Sequence, residues 1–390
     1  MRPIHMPLSV RGRVRWTVYN AQGERVPVRV RYPNGREALL PGGHWTPNLI
    51  TNQGMNAFAT APEAWGWVGL NGGNSGSVRR WGRIGTGSSV PAFTNVTLDN
   101  QVQASDTASP FAADAFTAVE GENTITLQCM RRVTFVMSAN RNLTEYGFGE
   151  TAGGEWIEDP PDSGLYVWDD FEDAYVRELF RDEFGTPITI SILSGKTLRI
   201  DHVYDITLDL TMQTGSFDVE EYDAANQYVG TTSIDYNARW WSRQTSSGTA
   251  TENGRHLAQA LRAMADNDSF STTTPVLYST TPNPDISTGT RLGFTPSGYS
   301  AAGSGNWPGG ATFANREYTS GSHERIYDMT INAARGNFDW TGWGYRSSGT
   351  YDGQLNQGGG FIVAFKNDHA FTKEDTHTLR WSIKWSWARG

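Results

Sequence analysis

Cysteine is nearly missing from this chain. Cys129 stands alone among 390 residues, which excludes an intrachain disulfide and a cysteine metal cluster. Charge is also sparse, at 19% Asp, Glu, Lys and Arg, so much of the surface must be Ser, Thr, Asn, Gln and Gly. The seven His are scattered and none forms HExxH, which leaves a metal hydrolase without support. No apolar run approaches the ~20 residues that a membrane helix needs, so no membrane span is expected. The start, Met1-Arg2-Pro3-Ile4-His5-Met6-Pro7, has no apolar core of the kind that a secretory signal carries. Synthesis in a reducing cytoplasm is the expectation.

Glycine and aromatics are abundant instead: 43 Gly, 15 Trp, 15 Tyr and 17 Phe. Aromatic side chains pack well on a pleated surface, and Gly-rich turns separate short apolar runs, so β-structure should dominate. One short stretch occurs twice. Asn142-Leu143-Thr144-Glu145-Tyr146-Gly147-Phe148-Gly149 and Asn337-Phe338-Asp339-Trp340-Thr341-Gly342-Trp343-Gly344 share Asn, an apolar residue, three variable residues, then Gly, aromatic, Gly. Thr51-Asn52-Gln53-Gly54 has its echo in Thr251-Glu252-Asn253-Gly254, and Thr197-Leu198-Arg199 in Thr378-Leu379-Arg380. Three matches in one order at similar spacing indicate a tandem duplication. The predicted architecture is mostly β: two tandem, duplicated β-sandwich-like domains with one short helix each, after a basic N-terminal β-hairpin. The expected divisions are 1–44, 45–212 and 213–390. Asn142, Gly147, Gly149, Asn337, Gly342 and Gly344 define the repeat.

Charge is segregated along the chain. Val14, Trp16 and Val18 alternate with Arg13, Arg15 and Thr17, and Val26, Val28, Val30 and Tyr32 alternate with Arg25, Pro27, Arg29 and Arg31. Period two predicts a hairpin with one apolar face and one arginine face, Pro27 marking an edge or bulge. The segment 150–173 opposes it, with nine carboxylates and no Lys or Arg. A helix is predicted over 54–64, with Asn52 as its cap, and a clearer one over 254–266. Residues 279–325 form a Gly/Ser/Thr/Pro-rich tract of the kind that is functional or ordered by a neighbour.

Candidate chemistry is thin. Ser194-Gly195-Lys196-Thr197 resembles the end of a phosphate loop, but Ile190 stands where its first Gly belongs and a strand follows, so a hairpin turn is the better reading. Asp169, Asp170, Glu172 and Asp173 offer hard oxygen ligands for Ca²⁺ yet lack the alternating spacing and central Gly of an EF-hand, which favours a solvated loop. No catalytic residue, cofactor or metal is assigned. In the last strand Trp381, Ile383, Trp385 and Trp387 face one way, and burial of that stripe against a sheet or a neighbouring subunit is expected. Arg13, Arg15, Arg29 and Arg31 lie opposite the aromatic face, so stacking between arginines is missing and nucleic acid is disfavoured as a partner. The acidic loop of another copy, through Asp169, Asp170, Glu172 and Asp173, fits them at least as well, and a closed head-to-tail contact would make a ring.

Several segments together resemble a family. Asn48-Leu49-Ile50-Thr51-Asn52-Gln53-Gly54, Ile84-Gly85-Thr86-Gly87-Ser88-Ser89, Leu143-Thr144-Glu145-Tyr146-Gly147-Phe148 and Gly195-Lys196-Thr197-Leu198 follow the N-terminal hairpin in order. This order is similar to structural proteins of tailed-bacteriophage virions, especially β-domains of tail, fibre-anchor and baseplate proteins. The resemblance covers about residues 10–210, and the second copy departs from it where Trp340 replaces Glu145. It implies a non-enzymatic virion tail protein (collar, adaptor, fibre-anchor or appendage), made in the host bacterial cytoplasm and assembling with copies of itself and other tail proteins. Two other readings stay open: a receptor- or glycan-binding tip module using loop aromatics around Trp307, with a host surface glycan as partner, and a capsule-degrading tail enzyme.

Overall fold

A computed structural model describes residues 1–60, 81–106, 116–120, 124–150, 154–158, 166–170, 173–209, 214–240, 273–278, 311–331, 338–347, 361–374 and 376–390. The protein is mostly β, as the composition predicts, with one helix among the described residues. The predicted helix at 254–266, Glu172, Asn337, Trp307 and most of the tract 279–325 lie outside them.

In chain order the first elements are β1 (Ile4–Tyr19), β2 (Val28–Arg31), β3 (Glu37–Leu40), β4 (Thr46–Ile50), α1 (Asn52–Thr60), β5 (Trp81–Gly85) and β6 (Gln101–Ser105). Then come β7 (Phe116–Glu120), β8 (Thr124–Val136), β9 (Arg141–Leu143), β10 (Glu145–Gly149), β11 (Gly154–Glu158) and β12 (Tyr166–Asp170). The middle of the chain holds β13 (Ala174–Leu179), β14 (Thr189–Ile192), β15 (Thr197–Asp209), β16 (Thr214–Tyr222), β17 (Tyr228–Trp240) and β18 (Thr273–Tyr278). The last elements are β19 (Ala311–Asn315), β20 (Glu324–Ile331), β21 (Phe338–Ser347), β22 (Phe361–Lys373) and β23 (Thr378–Arg389).

The chain divides into two compact units that are not contiguous in sequence. One comprises Val10–Phe116, Gln128–Asp205 and Arg389–Gly390; the other comprises Met1–Ser9, Thr117–Leu127 and Ile206–Ala388.

In the unit that begins at Val10, antiparallel pairing runs β6, β5, β10, β13, β4, β1. Strand β15 pairs with both β1 and β8. A separate four-stranded sheet has the order β3-β2-β14-β9, and β11 and β12 form a two-stranded sheet. The predicted N-terminal hairpin forms only at its tip. Asn20 Oδ1 accepts from Gln22 N and Glu24 N, and Val26 N still donates to Val18 O. Pro27 then offers no N–H, the ladder stops, and β2 pairs with β3 and β14 instead of β1. The helix is present, but its cap is Thr51 rather than Asn52: Thr51 Oγ1 accepts from Gly54 N at 3.1 Å and donates to Ala174 O at 2.6 Å. Asn52 Oδ1 accepts from Arg389 Nη2 instead. Buried Phe58 packs on Tyr204, with ring centroids 5.3 Å apart.

In the other unit, antiparallel pairing runs β19, β20, β23, β16, β17, β22, β21, β18. Strand β23 carries the predicted stripe. Trp381, Ile383, Trp385 and Trp387 are all buried, and they share the core with Phe217, Val219, Ile234 and Met329.

The repeated motif occupies comparable places. Gly147 and Gly149 lie in β10, paired on both sides by β5 and β13, while Gly342 and Gly344 lie in β21, paired on both sides by β18 and β22. The matched Thr-Leu-Arg triplets each open a long strand, β15 and β23, with a buried Leu198 or Leu379 followed by a partly exposed Arg199 or Arg380.

Candidate functional site: a buried carboxylate hub and an arginine face

Two buried carboxylates inside the Val10 unit each gather charged partners from several elements. The first is Glu145, at the start of β10 and fully buried. Its Oε1 accepts from Gly87 N at 2.9 Å and Asn100 N at 2.8 Å. Its Oε2 accepts from Asp99 N at 3.2 Å and from Arg177 Nε at 3.1 Å. Arg177, from the neighbouring strand β13, is equally buried and also reaches Asp99 Oδ2 at 2.7 Å, Asn95 Oδ1 at 2.8 Å and Ser89 Oγ at 2.9 Å. Every one of these groups except Arg177 and Glu145 belongs to loop 86–100. The pair therefore holds that loop against the sheet with charge-assisted bonds.

The glycines nearby make this possible. A Cβ on Gly87 would collide with the Glu145 carboxylate, and one on Gly147 would sit 2.6 Å from Leu98 Cδ1 and 2.7 Å from Val176 O. Burial works against the Asp99 carboxylate, yet hydrogen bonds from Ser89 and the Arg177 charge hold it below the ordinary carboxylate range. Asn142, from the same motif, accepts from Ser191 Oγ across to β14. Gly149 packs tightly against Asp173 O.

The second carboxylate is Asp201 on β15, which is 1% exposed although Arg199 and Asp205 on the same face are partly exposed. Guanidiniums cover it. Arg15 donates Nε and Nη2 at 3.0 and 2.6 Å, Arg132 of β8 donates Nε at 2.7 Å, and Arg199 Nε lies at 3.4 Å. Beside them Arg13 pairs with Asp205 at 2.7 Å, and Arg13 and Arg15 both lie over the Trp45 ring, at 5.0 and 4.5 Å. Three guanidiniums thus share one carboxylate. The hydrogen bond to Asp201 raises Arg132, while Arg199 is lowered mainly by burial, with Arg132 and Arg15 acting against the pull of Asp201.

The predicted arginine face is therefore split. Arg13 and Arg15 join Arg132 and Arg199, whereas Arg29 and Arg31 stand on the four-stranded sheet beside Glu37, at 3.9 and 3.3 Å, and are strongly exposed. The cause is the departure of β2 from β1 after Pro27. Among the acidic candidates, Asp173 makes an ion pair with buried Arg83. Asp169 and Asp170 lie in β12, opposite Glu155 and Gly154 of β11. Trp381 and Trp385 are core residues, at 0% and 1% exposure. Arg132, Arg199 and Asp201 escaped the sequence reading because nothing local marks residues that meet only through strand pairing. The alternation Arg199, Asp201, Asp205 on β15 was the available signal.

A cleft of about 180 Å³ near Trp16 is lined by His44, Asp182 and Glu183. Asp182 is occupied in turning the chain, accepting from Phe184 N and Thr186 N, and Glu183 faces His44 at 3.4 Å. Among the described residues no helix is long and apolar enough to cross a membrane, and no group of three or more His, Cys, Asp or Glu is placed to hold a metal ion. No protein-family model, curated protein or solved structure matches the chain.

Proposed function

We propose that this chain is a non-enzymatic structural component of a bacteriophage virion, a tail protein that works through subunit interfaces. The observation that carries the reading is the fate of Glu145. It is the one acid of the motif that resembles virion proteins, and its four hydrogen bonds and Arg177 ion pair hold loop 86–100 in place. The motif thereby acts as architecture. A sheet that turns arginines such as Arg29 and Arg31 outward suits a part that meets neighbours over an area rather than a ligand in a pocket. Mass spectrometry of purified particles tests the role directly. Peptides of this chain in fixed proportion to the other virion proteins are expected, and particles that lack the chain would refute it.

A further inference from the structure

We propose that the outward face around Asp201, formed by Arg15, Arg132 and Arg199, is the docking site for the acidic β11–β12 hairpin of a second copy of this chain. This deepens the virion reading and rests on it for its biological setting, though not for its chemistry.

The receiving side is short of negative charge. Three guanidiniums converge on the single carboxylate of Asp201, and all three keep 23–29% of their side-chain surface exposed. A further carboxylate approaching from solvent meets fork-shaped donors already held in place by Asp201, with little rotamer freedom left to lose. Arg29 and Arg31 lack this organisation, so they are not part of the site.

The donating side has the opposite excess. Strands β11 and β12 pair only with each other among the described strands. Segment 150–173, which contains them, has nine carboxylates and no Lys or Arg. The ladder places Glu155 and Asp169 at facing positions of the two strands. A two-stranded hairpin has little stability of its own. A cationic surface set against this segment offsets its net negative charge, so each side supplies the charge that the other lacks. The contact joins different surfaces of two identical chains, and therefore closes into a ring or runs on as a filament.

The test is the mass of the full chain by light scattering after size exclusion, at about 10 mM and about 1 M salt, where screening lengths are roughly 30 and 3 Å. Association at low salt that is lost at high salt is expected. R132E/R199E on the face and E155K/D169K on the hairpin should each raise the concentration for half-association at least about tenfold. Mixed in equal amounts, the two variants should associate again, because the unchanged hairpin of one meets the unchanged face of the other and the two reversed surfaces also carry opposite charges. A wild-type chain that stays single at low salt overturns the proposal, as does wild-type association by either variant or failure of the mixture to pair. If charge reversal beside Asp201 unfolds the first variant, R132Q/R199Q replaces it and the hairpin variant decides independently. A single chain that is nevertheless found in particles would remove this contact and leave the virion role. Association by a chain absent from particles would do the reverse.

Discussion

Replacing Glu145 by Gln keeps the size of the side chain and removes one charge, which isolates what the carboxylate does. All four of its hydrogen-bond partners are donors: three backbone N–H groups and Arg177 Nε. A Gln offers one oxygen and one NH₂, so whichever way it turns, two donors face a donor. Arg177 also keeps only Asp99 as its counter-charge, in a site where both Arg177 and Glu145 have no exposed side-chain surface. Hydrogen bonds to charged groups contribute about 1.5–3 kcal/mol each, and breaking a buried pair costs about 3–5 kcal/mol. The two overlap, so about 3–5 kcal/mol is the expected loss for Glu145→Gln, equivalent to roughly 10 °C in the melting temperature for a unit of this size. Glu145→Ala should cost as much or more. Thermal and urea unfolding give the loss, and amide exchange at Gly87, Asp99 and Asn100 locates it. A double-mutant cycle with Arg177→Met should show strong coupling, since the second removal abolishes the stranded charge. If Glu145→Gln unfolds within about 1 kcal/mol of the wild type, the hub does not hold the loop and the architectural reading of the motif fails.

Gly147→Ala should destabilise the same strand by about 1–3 kcal/mol, because its Cβ would meet the backbone oxygen of Val176 as well as Leu98, and the backbone cannot swing aside; an unchanged melting temperature would refute that account. Acid should loosen loop 86–100. Asp99 is held below the ordinary carboxylate range in the folded chain, so its contribution is complete above about pH 4 and is lost as pH falls through the lower folded-state value. Thermal unfolding followed across that window should show this slope, and Asp99→Asn should flatten it; a slope unchanged by the substitution would assign it to other groups.

Local pattern was enough to read much of this protein from its residues. Alternation along β1 and β23 predicted which side chains face inward, because side chains in a strand point to opposite faces in turn regardless of which strand lies beside it. The Gly positions of the motif were legible for a similar reason: at Gly147 the absence of a side chain is itself the information, whatever occupies the space. The helix after Thr51 was legible as well, though its cap was misplaced by one residue, since Thr51 and Asn52 are both competent caps and only the contact with Ala174 O chooses between them.

Pairing was not legible. Pro27 hinted at an interruption, but the sequence could not say that β2 would leave for another sheet and so divide Arg29 and Arg31 from Arg13 and Arg15. Arg132 and Arg199 are far from Arg15 along the chain, and β8 and β15 bring them to the same carboxylate. Glu145 and Arg177 likewise meet because β10 and β13 are neighbours. Which strands become neighbours depends on the free energy of the whole core, where many alternative registers satisfy the same alternation. Residue chemistry and period are properties of the chain, and the sequence alone determined them here. The partners of each charge are properties of the folded sheet, so the tertiary structure alone decided the two hubs.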